Sequence, residues 1–262
     1  MTFEGKTVWI TGATSGIGEA LARAFAEAGA RLVLSARSEE RLRVVQAACA
    51  HPEHHHIAPF DLSDSDSTAA AARQVVERGP IEILVNNAGI SQRSQTVETA
   101  LAVDRRIMEI NFFGAVTLTK AVLPSMLARK AGHIVVISSL AGKFGAPRRS
   151  AYAASKHALH GFFDVLRTEV HDEGLHVTII CPGYIRTNIS KNALKGDSSV
   201  YGLMDRRQAE GLAPEACARR ILRAVRRKDA EVYIGGPEVL GVYIRRFFPN
   251  MFNRLIRRVT DV

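Results

Sequence analysis

Along the chain, short apolar runs alternate with stretches whose apolar positions recur at helical spacing. TVWIT (7–11), RLVLSA (31–36), IEILVNNAG (81–89), HIVVISS (133–139), VTIICPG (177–183) and EVYIGG (231–236) read as strands, and HIAPFDL (56–62) contains a short one. Residues 16–28, 38–50, 66–78 and 100–130 carry the helical period. The strand runs are nearly continuously apolar, as strands covered on both faces are. Strands alternating with helices build βαβ units. The pattern predicts one α/β domain over 1–262, with a doubly wound, mostly parallel seven-stranded sheet and helices on both faces.

Composition agrees with such a core: 47% of residues are hydrophobic and 23% are charged. The first residues, MTFEGKTVWITG, lack a basic stretch followed by an apolar one, so no signal peptide is expected. No apolar run reaches the length of a membrane span. Cys49, Cys181 and Cys217 are odd in number and far apart, which points to a reducing compartment and a cytoplasmic setting. HPEHHH (51–56) lacks a supporting carboxylate or thiol set and reads as a solvated loop, so no metal is expected.

The glycine-rich segment TGATSGIG, Thr11–Gly18, follows the first strand and opens a helix. Gly12, Gly16 and Gly18 permit a tight turn and close backbone approach, and the helix start offers N–H groups to a phosphate. Thr14, Ser15 and Ile17 belong to the same cradle. This is the context of a Rossmann dinucleotide site. The second strand ends in Ser35-Ala36-Arg37, with alanine where a carboxylate would hold the ribose of NAD. Arg37 can grip a 2′-phosphate, so NADP is expected over NAD; the alternative for Arg37 is an exposed charge at a helix entry.

With TGxxxGxG, Asn86–Gly89 (NNAG), and Tyr152 and Lys156 spaced as YxxxK, the chain resembles the short-chain dehydrogenase/reductase family over nearly its whole length. The resemblance extends to Ser139, thirteen residues before Tyr152, to Asn111, and to Pro182-Gly183 followed by Ile185 and Thr187. It implies a catalytic set of Asn111, Ser139, Tyr152 and Lys156, with hydride moving between NADP(H) and a carbonyl or alcohol. It implies that Ser139 bonds the substrate oxygen, Lys156 the nicotinamide ribose, and Asn111 a water relay. It also implies cofactor contacts at Asp61, Leu62, Asn87, Ala88, Gly89, Pro182, Gly183, Ile185 and Thr187, and a homodimer or homotetramer.

The spacing of Tyr152 and Lys156 has its own physical reading, because i and i+4 share a helix face. A cation ~4 Å from the phenol, at an effective dielectric of ~20, favours the phenolate by roughly 4 kcal/mol, or about three pKa units. Lys156 is therefore expected to bring Tyr152 toward neutrality as a general acid or base.

Two further segments bear on the substrate. Residues 188–212 mix Gly, Ser and Asp with Leu194, Tyr201, Leu203 and Met204, as a partly apolar lid over a lipophilic substrate would. The tail, 240–262, repeats Ile244, Phe247, Phe248, Met251, Phe252, Leu255, Ile256 and Val259 at helical spacing, with Arg245, Arg246, Arg254, Arg257 and Arg258 largely opposite. Such a stretch either lies in a membrane interface or packs against the lid or a second subunit. Pro249 either divides it or begins its second helix. The tail and SSLAGKFGAP (138–147) resemble the branch holding 11-beta-hydroxysteroid dehydrogenase and dehydrogenase/reductase member 7B.

Net charge is +9. The basic stretches lack interleaved base-stacking aromatics, so no nucleic-acid partner is expected. The alternative to an enzyme is a catalytically silent NADP-binding sensor or scaffold.

Overall fold

Seven strands form a single sheet in the computed structural model, which describes residues 2–257: β1 Thr7–Thr11, β2 Arg31–Ser35, β3 His56–Ile57, β4 Ile83–Asn86, β5 Gly132–Ile137, β6 Leu175–Pro182 and β7 Glu231–Ile234. Their order is β3-β2-β1-β4-β5-β6-β7, and every pairing is parallel. The order reverses between β1 and β4, the place where an open α/β sheet leaves a crevice at its carboxyl edge. The helices are α1 Gly16–Glu27, α2 Glu39–Ala47, α3 Ser65–Glu77, α4 Leu101–Met108, α5 Gly114–Ala128, α6 Ser150–Glu169, α7 Arg206–Ala209, α8 Pro214–Arg227, α9 Leu240–Phe247 and α10 Pro249–Ile256.

Two apolar clusters sandwich the sheet. One gathers Val8, Ile10, Leu32, Leu34 and Val85 with α1 and α8; the other gathers Trp9, Leu84, Ile134, Val136 and Ile179 with α5 and α6. Alternate residues of each strand feed opposite clusters, which is why the runs carry apolar residues at nearly every position.

The helical pattern over 100–130 resolves into three pieces. A π-helical turn, Glu109–Phe113, separates α4 from α5. The whole run Leu101–Ala128 is long and apolar enough to cross a membrane by length and composition, which the apolar runs of the sequence did not suggest. It packs on α3 and α6, as a core helix does. Pro249 is the first residue of α10, so the tail is two helices; Arg258 and Val259 lie outside the described residues.

Candidate active site

The glycine turn between β1 and α1 is fixed from below. Gly12 and Gly16 adopt φ of +65° and +57°, where side chains are strained. A Cβ on Gly12 would lie 2.8 Å from Ala88 Cα, and one on Gly18 would lie 2.2 Å from the Gly12 carbonyl oxygen. Asn87 Nδ2 donates to the Thr11 carbonyl at 2.8 Å, while the N–H groups of Asn87 and Ala88 donate to Thr11 Oγ1 at 3.0 and 3.1 Å. The NNAG segment thus ties the end of β4 to the turn. Ser15 precedes α1 without a side-chain cap, so the N–H groups of the helix start are open to an anion.

One cavity of about 1060 Å³ opens above this turn. At one end lie Ala36, the exposed Arg37, Asp61 and Leu62, joined by Arg41 and Arg106. Burial pushes the Asp61 carboxyl up, but hydrogen bonds from Ser63 and the charges of Arg37 and Arg106 outweigh it and hold the group below its ordinary value. Thr14, Ser15, Gly16, Ile17, Asn87, Ala88 and Gly89 line the middle. Ser139, Tyr152 and Lys156 lie beyond, facing Pro182, Gly183, Ile185 and Thr187. Gly18 and Asn111 stand behind the wall rather than in it. The glycine cradle, the uncapped helix start and the length of the cavity fit a dinucleotide.

Lys156 is 4% exposed, and its Nζ donates to the Ile137 carbonyl at 2.8 Å. Burial lowers its pKa to about 8. Asn111 sits in the π turn, with Oδ1 accepting from the Ile90 N–H at 2.8 Å and Nδ2 donating to the Ile90 carbonyl at 2.9 Å and to Ser155 Oγ at 3.0 Å. It braces the segment after β4 against α6. Ser139 Oγ accepts from the Ala141 N–H at 3.1 Å.

The charges around Tyr152 correct the expectation drawn from helix spacing. Burial raises the phenol pKa, and Ser139, Arg149 and Arg93 pull it down. Burial outweighs them and leaves the phenol above its ordinary value; the Lys156 Nζ lies 5.9 Å from the ring centroid and donates to the Ile137 carbonyl of β5. The i, i+4 relation puts the two side chains on one face, but the ammonium follows the free carbonyl at the strand end.

Above the site, the lid is held by two groups that its sequence did not single out. Asp205 accepts from Arg93 and Arg149, and Gln208 Nε2 donates to the Ile185 carbonyl and to Thr187 Oγ1. The tail closes the far end through Ile244, Phe252 and Ile256, with Phe252 and Phe144 at a ring separation of 5.0 Å. Beneath α6, His160, Cys181 and Glu231 come together as metal ligands would. Lys143 Nζ bonds Glu231 at 2.8 Å and approaches His160 Nδ1 to 3.4 Å, so an ammonium already supplies the cation there. Among the described residues the 51–56 histidines enter no such group: His51 and His54 stack, and burial lowers the pKa of His55.

The family model described as short chain dehydrogenase matches residues 6–198. The chain belongs to the short-chain dehydrogenase family. Dehydrogenase/reductase SDR family member 7B of Bos taurus is 48% identical over 258 residues, covering 95% of this chain and 79% of that one. The protein of the same name from Xenopus tropicalis is 47% identical over 256 residues, covering 94% and 82%. A short-chain dehydrogenase from Streptomyces avermitilis superimposes with a TM-score of 0.84 at 31% identity over the whole of both chains. The gluconate 5-dehydrogenase of Burkholderia cenocepacia, solved with NADP and tartrate, gives 0.68 at 31% identity over 72% and 74%. This family member thus has the Rossmann-like fold of its relatives, falls in their 7B branch, and is an NAD(P)-dependent oxidoreductase.

Proposed function

We propose that the protein is an NADP(H)-dependent carbonyl reductase or alcohol dehydrogenase for a lipophilic substrate, with Tyr152 as the proton donor and acceptor. The carrying observation is the continuity of the cavity. It runs from Arg37, past the glycine turn, to Tyr152, and on beneath Phe144, Ile189, Ile244 and Phe252. The first part suits a nucleotide, and the apolar end suits a hydrocarbon body.

When bound, the cofactor supplies or accepts the hydride. Arg37 holds the 2′-phosphate, with Arg41 and Arg106 at the same end, and the start of α1 takes the pyrophosphate. In reduction, Tyr152 gives its hydroxyl proton to the substrate oxygen as Ser139 Oγ bonds that oxygen. In oxidation, Tyr152 takes the proton. Lys156, with a pKa of about 8, keeps its ammonium at pH 7 and stands ready to bond the nicotinamide ribose. Asn111 holds the neighbouring backbone in place.

The protein acts in the cytoplasm as a homodimer or homotetramer, and its tail touches an anionic membrane surface. Ile244, Phe252 and Ile256 turn to the cavity, while Leu240, Tyr243, Phe247, Phe248 and Met251 stay exposed beside Arg245, Arg246, Arg254 and Arg257. Phe113 and Val165, also exposed, suit a face covered by a second copy.

Oxidation of NADPH by a panel of steroid, retinoid and fatty carbonyls, followed at 340 nm, tests the catalytic reading. Tyr152→Phe should lower turnover at least about a hundredfold, as loss of a general acid does, with NADPH binding kept. Near-normal turnover by the variant would overturn the role of Tyr152. A wild type inactive on the whole panel, in both directions, would favour the silent NADP-binding alternative.

A further inference from the structure

The substrate end of the cavity carries a charge that the lid does not need. Arg93, in the segment after β4, is 4% exposed and uses all its arms. Its Nε and Nη2 donate to Asp205 Oδ2 at 2.9 and 2.5 Å, and its Nη1 to Ser91 Oγ at 2.8 Å and the Gln92 carbonyl at 2.7 Å. That pair alone neutralises Asp205 and fastens the lid. Arg149 adds a second guanidinium to the same oxygen, through Nη2 at 3.2 Å, and that guanidinium has no other hydrogen-bond partner among the described residues. Its side chain is 15% exposed and lines the cavity. Two guanidinium groups against one carboxylate leave a net positive charge in a largely water-poor wall, where an unbalanced charge is costly.

Position gives the charge a use. Arg149 stands three residues before Tyr152, about one helical turn away. It is also the residue preceding the 20-residue helix α6, at whose start Gln92 Oε1 accepts from the Ala151 N–H at 2.9 Å. Arg93, Arg149 and Tyr152 line the same cavity. Phe144, Ile189 and Ile244 give the cavity apolar wall, interrupted by Asn192, Arg207 and Glu238.

We infer that Arg149, backed by Arg93, is an anion subsite, and that the carbonyl substrate carries a carboxylate or phosphate a few bonds from its carbonyl, with an apolar chain beyond. The inference rests on the carbonyl-reductase reading for its placement beside Tyr152. A guanidinium fork meets either oxyanion with two parallel hydrogen bonds, and the arms of Arg149 not bound to Asp205 are available for them. An arriving anion competes for a single 3.2 Å bond, leaving the Arg93–Asp205 clamp in place.

Two experiments separate this inference from the reading beneath it. The first measures binding without turnover, by thermal shift of the NADPH-loaded protein with dodecanoate, dodecyl phosphate and dodecanol. The wild type should bind at least one of the two anions more tightly than the alcohol by roughly tenfold or more, the order of one charge-assisted hydrogen bond. Arg149→Gln should remove that preference, and Arg149→Lys should restore part of it. The carboxylate and phosphate arms tell which oxyanion is meant. The second compares kcat/KM for matched ketones, a keto acid against its methyl ester and a ketone phosphate monoester against its alcohol; the ratio of anionic to neutral should fall about tenfold or more in Arg149→Gln. Equal binding of anions and dodecanol by the wild type, or an unchanged preference in Arg149→Gln, would overturn the subsite. An anion preference without turnover of any carbonyl would leave the subsite standing and overturn the enzyme reading instead.

Discussion

Replacing Lys156 with methionine should separate the cost of burying its ammonium from its use. The side chain is 4% exposed, and burial lowers its pKa from 10.5 to about 8. Between those values the unfolded chain holds a proton that the folded protein has released, so stability rises with pH across the window. At pH 7 both states are charged, and the difference weighs against folding by about 3 kcal/mol. At pH 10 only about 1 kcal/mol of that remains. Methionine does not titrate. The stability gap between wild type and Lys156→Met should therefore move by about 2 kcal/mol in favour of the wild type from pH 7 to pH 10. The lost bond to the Ile137 carbonyl and the packing of the thioether add a constant that cancels between the two pH values. The thiols of Cys49, Cys181 and Cys217, all pushed up by burial, lower the stability of both proteins alike above about pH 9 and cancel to first order. Urea unfolding of the nucleotide-free proteins at the two pH values measures the gap. A gap that does not change with pH would refute the reasoning and mean that the ammonium is hydrated in the folded state.

Gly18→Ala should weaken NADPH binding by more than about tenfold in a thermal-shift titration, because its Cβ would fall 2.2 Å from a backbone oxygen of the turn and force the cradle open. Wild-type protein should be stabilised more by NADPH than by NADH at equal concentration, and Arg37→Ala should narrow the difference; equal shifts in the wild type would reject the assignment of Arg37. Full-length protein should sediment with anionic vesicles, weakly with neutral ones and less at high salt, and truncation before Leu240 should abolish this with NADPH binding retained. No sedimentation at low salt would leave the tail as a roof of the cavity only.

What the sequence made legible was local. The strands could be read because a parallel sheet buried on both faces needs apolar residues at successive positions, as in Val8-Trp9-Ile10 and Ile83-Leu84-Val85. The glycine turn could be read because strained backbone and close approach admit few residue types, and Gly12 and Gly16 meet both conditions. Tyr152 and Lys156 could be placed on one face because a helix repeats. Their electrostatics could not. A spacing fixes where a side chain starts, not which acceptor it reaches, and Lys156 reaches a carbonyl of β5. Two charges that pull the Tyr152 phenol down, Arg93 and Arg149, come from 59 and 3 positions away and meet on Asp205, 112 positions from the first. No periodicity records such a meeting. The fold creates it, because the segment after β4, the residue before α6 and the lid all end at the carboxyl edge of the sheet. The tail shows the same limit in another form. Its apolar stripe was plain at helical spacing, but only the packing of Phe252 on Phe144 divides that stripe into an inner face that closes the cavity and an outer face that remains open. Local pattern gives the element and its amphipathicity; which surface receives it is decided by the rest of the chain.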